Sequence, residues 1–252
     1  MKKFNFLLNL ILPLIGVVSL VVIWGVSAIL LGDEIVLPKV SSTLKALVYK
    51  LGESAFYRAF VATLVRTLVA FLVAFVVATV LSILTYCSKK ASKILAPIIA
   101  IIRAFPTIAM VLWVVLWTNS SIAPMIVTGV VVLPTLFVSV SQALADIDRG
   151  LIVMCKTYGV SRSDTLKKVV LPPLLPKLAE VAGSGFSLNL KLMVAAEIIA
   201  QTGRSLGILM QIEKVNFETA GLLALVIITV VTGIVVEYFV KFLARGLVKW
   251  KA

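Results

Sequence analysis

Long apolar runs separated by short polar and basic segments set the rhythm of this chain. Six runs stand out, at residues 7–31, 60–86, 95–117, 122–143, 178–200 and 220–243. Each is long enough to cross about 30 Å of hydrocarbon at about 1.5 Å per residue. The pattern predicts an all-α, polytopic membrane protein with six transmembrane helices. The fifth run is the most interrupted, by Glu180, Asn189, Lys191 and Glu197.

The charges fall between these runs in a biased way. With the N-terminus inside, fifteen of the 24 Lys and Arg lie on inner segments, among them Lys2, Lys3, Lys249 and Lys251, and six lie outside. Arg66, Arg103 and Lys191 fall within runs. Positive charge accumulates on the cytoplasmic side, so both termini are expected there. The first run is too long for a signal-peptide core and lacks a small-residue cleavage site, so it reads as a retained span.

Composition narrows the chemistry. The chain has 252 residues, 61% hydrophobic, with a net charge of +13. A basic soluble face for nucleic acid is lacking, so the charge reads as orientation signal and attraction to anionic lipid. With no histidine and only Cys87 and Cys155, haem, zinc and Cys–His chemistry are excluded, and no metal or catalytic residue is assigned. Gly183-Ser184-Gly185 has no histidine to activate its serine and reads as close helix packing. Neither an inverted repeat nor a soluble domain is visible, which argues against a secondary transporter and places any ATP hydrolysis on another chain. The chain divides into residues 1–59, a first span plus an external segment, and residues 60–252, a five-helix core with a cytoplasmic loop at 144–177. Within the external segment, Leu44, Leu47 and Leu51 share one face of a predicted surface helix.

The segment 146–176, DIDRGLIVMCKTYGVSRSDTLKKVVLPPLLP, is a basic island among the runs. Asp146 or Asp148 can cap a short helix over 150–158, which Gly159 breaks. Ser161 and Asp164 have capping-box spacing and open a second helix, expected to end at Pro172, Pro173 and Pro176. Leu151, Ile152, Met154 and Tyr158 would be exposed apolar residues. Either a partner covers them or the loop lies on headgroups.

Gly159, nine intervening residues and Val169-Val170-Leu171-Pro172 resemble the "EAA" loop of binding-protein-dependent ABC importer permeases. Asp148-Arg149-Gly150-Leu151, Tyr158-Gly159-Val160-Ser161, Arg103-Ala104-Phe105-Pro106 and Ala195-Ala196-Glu197-Ile198-Ile199 look like the branch that carries aliphatic sulfonates, taurine and nitrate. Two departures stand out. Val153-Met154-Cys155 replaces Glu-Ala-Ala, implying a more apolar contact, and Ala70, Ala74 and Ala78 replace glycines in the second span, implying looser packing.

The resemblance implies a type I ABC importer permease in the bacterial inner membrane, with no enzymatic activity or cofactor of its own. Its partners would be cytoplasmic ABC ATPase subunits, which bind the ATP, an extracytoplasmic substrate-binding protein and a second copy of itself. Leu151, Val153, Met154, Cys155, Tyr158, Gly159, Val160, Ser161, Leu171 and Pro172 would form the ATPase-coupling surface. The solute would be a small anion of the sulfonate, taurine or nitrate type; the same machinery also imports thiamine-precursor pyrimidines and riboflavin. Arg103, Asn189, Lys191, Glu197 and Gln201 are candidates for the translocation path. Their alternative role is structural, as internal ion pairs or snorkelling cations.

Overall fold

The computed structural model describes residues 2–247, so Lys249 and Lys251 lie outside the described residues. The described chain is helical throughout: α1 Lys2–Leu31, α2 Val40–Gly52, α3 Ser54–Cys87, α4 Lys89–Ala104, α5 Thr107–Trp117, α6 Ala123–Ala145, α7 Arg149–Thr157, α8 Arg162–Thr165, a π turn Leu166–Val170, α9 Leu171–Ala200, α10 Leu206–Val215 and α11 Thr219–Leu247. Four segments are long and apolar enough to cross a membrane: Leu12–Leu31, Ser54–Cys87, Ala123–Ala145 and Thr219–Leu243. α9 has the length, but Lys177, Glu180, Lys191 and Glu197 keep it from being uniformly apolar.

The third expected span is not a single rod. α4 and α5 meet at 93°. Pro106 has no N–H to continue the ladder and forces Phe105 into an extended conformation, φ −73° and ψ 128°. Sequence marks Pro106 as a kink; the structure makes it a corner.

Among the described residues two compact units emerge, one of residues 2–58 and 209–228, the other of 59–208 and 229–247. In the first, α1 is exposed from Leu12 to Ile23, while Trp24 Nε1 donates to the Pro38 carbonyl at 3.0 Å. The face of α2 turned inward is Thr43, Ala46, Leu47 and Lys50, while Leu44 and Leu51 stay exposed. On the inward face the Lys50 ammonium bridges Glu213 at 2.9 Å and Glu53 at 3.3 Å. Burial alone would lower the Lys50 pKa, but the two carboxylates hold it above its ordinary value.

The second unit is built on α3, α6 and α9. Phe71, Ala74 and Ala78 from α3, Val132 and Leu136 from α6 and Phe186 from α9 form its central core. Ala70, Ala74 and Ala78 are at most 5% exposed and sit in the packed face of α3, with Ala70 and Ala74 also lining an apolar cavity against α6. Glycine is required where helices touch. A Cβ on Gly183 would stand 3.1 Å from the Glu237 carbonyl, and one on Gly185 would stand 2.5 Å from Leu136 Cδ2 and 3.2 Å from Phe71 Cε2. The reading of Gly183-Ser184-Gly185 as packing is therefore met by geometry. Gly185→Leu is expected to destabilise the purified protein by about 1–3 kcal/mol through overpacking. Leu136→Ala should restore part of that loss in a thermal-unfolding assay.

Candidate functional site

The island is a folded knob held at its base. The Asp148 carboxylate accepts from Gly150 N at 2.7 Å and caps α7. That helix ends in a Schellman motif: Val160 N donates to Cys155 O at 2.9 Å and Gly159 N to Lys156 O at 3.2 Å. Gly159 takes φ +72°, the left-handed conformation this ending needs. Ser161 Oγ accepts from Asp164 N at 3.1 Å and donates to the Asp164 carboxylate at 2.8 Å. The box therefore satisfies one amide; the acid turns to the serine hydroxyl instead of reaching back to the backbone.

The expected stop at the prolines is not there. A π turn leads directly into α9, with Leu171 N bonded to Leu166 O. Pro172 and Pro173 occupy the first turn of α9, where a missing N–H is harmless. The helix runs on through Pro176.

Three contacts fix the base of the knob. Lys177 Nζ donates to Asp146 Oδ2 at 2.8 Å and Gln142 Nε2 to Asp146 Oδ1 at 2.9 Å. The Lys177 ammonium, then the Gln142 amide, hold the Asp146 carboxyl below its ordinary pKa. The Arg149 guanidinium lies 5.8 Å from the Tyr86 ring centroid. Ile152 packs against the cluster of Val140, Ala143, Leu144, Ile147 and Leu174.

The other side of α7 is open. Leu151, Val153, Met154, Tyr158 and Val160 are 42–80% exposed. Gly159 and Ser161 are exposed beside them, Leu171 and Pro172 are half-buried, and Cys155 is buried. Of the ten expected coupling residues, seven thus share the exposed tip, while Cys155, Leu171 and Pro172 support it.

The five expected path residues do not form one constellation. Glu197 is fully buried and closes an internal cluster, with Arg66 Nη1 at 2.7 Å and Thr63 Oγ1 donating at 2.8 Å. Gly207 N also donates to Glu197, and Leu206 N donates to Thr63 Oγ1 at 2.9 Å. Gly207 lies in α10, where a Cβ would stand 2.5 Å from Glu197 Cβ. Asn189 is buried too, its amide donating to Thr67 O at 3.0 Å. Lys191 lies on the opposite, exposed side of α9; Gln201 is exposed in the left-handed position that ends α9, and Arg103 is exposed at the end of α4. Arg66, a charge within the second run whose structural reading is an internal ion pair or a snorkelling cation, is the partner of Glu197. Thr63 escaped the sequence reading, since nothing in a lone helical threonine announces a tertiary contact 134 residues away.

Residues 78–249 match the family described as the inner membrane component of binding-protein-dependent transport systems. The chain is similar to the putative aliphatic sulfonates transport permease protein SsuC of Escherichia coli (strain K12), with 26% identity over 149 residues, 58% of this chain and 55% of that protein. The match thus spans about half the length of that curated relative. Among solved structures, an inward-facing form of the MetNI methionine ABC transporter is similar at a TM-score of 0.67 and 21% identity, covering 76% of this chain and 95% of that one. An amino acid ABC transporter with histidines is similar at 0.64 and 14% identity, covering 76% and 93%. At these identities the structural likenesses show the fold alone.

Proposed function

The chain belongs to the family of binding-protein-dependent transport system inner membrane components, and from that premise we propose that it forms half of a transmembrane path for a small anionic solute of the sulfonate type. It is a multi-pass ABC importer permease component and not an enzyme. In this reading a separate cytoplasmic ATPase drives it, an external binding protein delivers the solute, and a second copy completes the path. The positive-inside charge distribution supports a cytoplasmic side for both termini and the knob.

The observation that carries the reading is the knob itself. It presents an apolar, exposed tip on a base tied to α3, α6 and α9 by Arg149, Gln142–Asp146 and Lys177. A rigid projection transmits a displacement into the helices behind it, whereas a loose loop would absorb the movement. The exposed tip favours a protein socket over a polar headgroup layer. The anionic solute rests on the likeness to SsuC, named for aliphatic sulfonates.

The test is purification and uptake. The chain is expected to co-purify with an ATPase subunit, and uptake of a simple alkanesulfonate into proteoliposomes should require ATP inside and binding protein outside. Uptake that survives removal of the ATPase would refute the reading.

A further inference from the structure

One face of α9 is left without protein cover. Glu180, Ser184, Lys191 and Ala195 are exposed and Leu188 is half-buried. These positions recur at spacings of three and four, so they form a single stripe along the helix. The opposite side, including Phe186, Leu190, Met193 and Glu197, is buried. An uncovered helix face in a bilayer ought to be apolar, and this one carries two charges and a hydroxyl. The contrast with α3 is sharp, because its exposed positions Val61, Val65, Leu68, Leu72 and Val76 are all aliphatic.

Lys191 is the residue a lipid surface tolerates least. It lies nine residues before the C-terminus of α9 at Ala200, about 13 Å along the axis. With α9 crossing as the fifth expected run, 178–200, that distance places Lys191 close to the middle of a hydrocarbon layer about 30 Å thick. The four-methylene stem of lysine is shorter than that distance, so snorkelling does not bring the ammonium to the headgroups. Lys191 forms no ion pair among the described residues. The other charge on the stripe, Glu180, lies within electrostatic reach of Lys241, whose ammonium pairs with Glu237 at 2.7 Å. A charged group at this depth with no partner normally faces water.

We propose that the Glu180–Ser184–Lys191–Ala195 face of α9 lines a water-filled path, and that the Lys191 ammonium makes this path selective for anions. The inference rests on the permease reading above and deepens it by naming the group that favours anionic solutes. A cation fixed on the wall raises the local concentration of anions and lowers their barrier to crossing, and it does the opposite for cations. Glu197 and Arg66 leave this balance unchanged, because they neutralise each other on the buried side.

Thiol chemistry tests the inference without knowledge of the solute, since the ionised thiol, which forms in water and not in lipid, attacks a methanethiosulfonate to give a mixed disulfide and release methanesulfinate. Ser184→Cys and Ala195→Cys are made in the full chain, with Val65→Cys as the lipid-facing control. Membranes containing the chain and its ATPase are treated with a sulfonate-bearing or a trimethylammonium-bearing methanethiosulfonate. Modification is read peptide by peptide by mass spectrometry, so Cys87 and Cys155 stay in place. Cysteines at 184 and 195 should be modified and the one at 65 spared. At position 195, one turn from Lys191, the sulfonate reagent should react about fivefold faster than the ammonium reagent, and Lys191→Glu should reverse that order. If the cysteines at 184 and 195 are both inert, the stripe is dry and the inference fails. If they react with the two reagents equally, and Lys191→Glu changes nothing, the selectivity claim fails. Co-purification of the ATPase is measured on the same membranes. Inert cysteines with the ATPase retained overturn only this inference; loss of the ATPase with reactive cysteines overturns the permease reading instead.

Discussion

Replacing Arg66 with methionine is expected to destabilise the folded chain by about 3–5 kcal/mol, the cost of leaving one member of a buried ion pair without the other. The Arg66 side chain is 14% exposed and that of Glu197 is fully buried, with 2.7 Å between them. The remaining contacts to Glu197, from Thr63 and Gly207, are hydrogen bonds and do not cancel a charge. Glu197→Gln should cost less than Arg66→Met, because an amide can still bond Thr63 and leaves Arg66 near the surface. The double variant Arg66→Met with Glu197→Leu should recover much of the loss, since a well-packed apolar pair often replaces a buried ion pair without penalty. Thermal unfolding of the purified complex in detergent measures all three. The double-mutant cycle should give a coupling above about 1 kcal/mol; additive effects would mean that the pair carries no joint energy.

That cluster also shows where the sequence is legible and where it is not. Five of the expected runs appear as continuous helix, because apolar composition over twenty residues is a local property. The corner at Pro106 is half legible: the proline marks the break, but no local pattern announces the 93° angle. The pairing of Glu197 with Arg66 is invisible, since the partners are 131 residues apart and each alone looks like an isolated intramembrane charge. The packed face of α2 is not legible for a similar reason, because Lys50 on that face is held by Glu213, far along the chain. Pro172 and Pro173 mislead because a proline signals a helix end and a helix start alike, and only the geometry of the preceding π turn separates the two.

The knob is the most legible functional feature, because its signals are local: Asp148, Gly159 and Ser161 each cap or break a helix within three residues of themselves. Its sequence also departs from the Glu-Ala-Ala it resembles, and the structure gives that departure a shape. Val153 and Met154 are exposed at the tip, and Cys155 turns inward at 8% exposure. On the docking reading, the contact surface is thus apolar where an acidic residue would have offered a salt bridge. Binding to the ATPase should therefore depend only weakly on salt, since burial of apolar surface is not screened as a surface ion pair is.

Gly159 offers the sharpest test of the docking assignment, because two substitutions there separate backbone strain from contact. A Cβ at Gly159 meets nothing within 4 Å, but its φ of +72° is costly for any residue with a side chain. Gly159→Ala is therefore expected to cost about 1–2 kcal/mol of local stability while leaving the exposed surface nearly intact. Gly159→Trp incurs the same backbone strain and adds a bulky ring to the open space beside Tyr158 and Val160, both exposed. If that space is the socket interface, the alanine variant should retain most ATPase association and uptake. The tryptophan variant should lose both by tenfold or more, while membrane insertion and expression match the alanine variant. The measurements are co-purification of the ATPase and ATP-driven uptake in proteoliposomes. Equal behaviour of the two variants would assign the glycine to the turn alone and leave the tip without a docking role. A selective loss with tryptophan would mean that a partner occupies the space next to Gly159, as coupling through this knob requires.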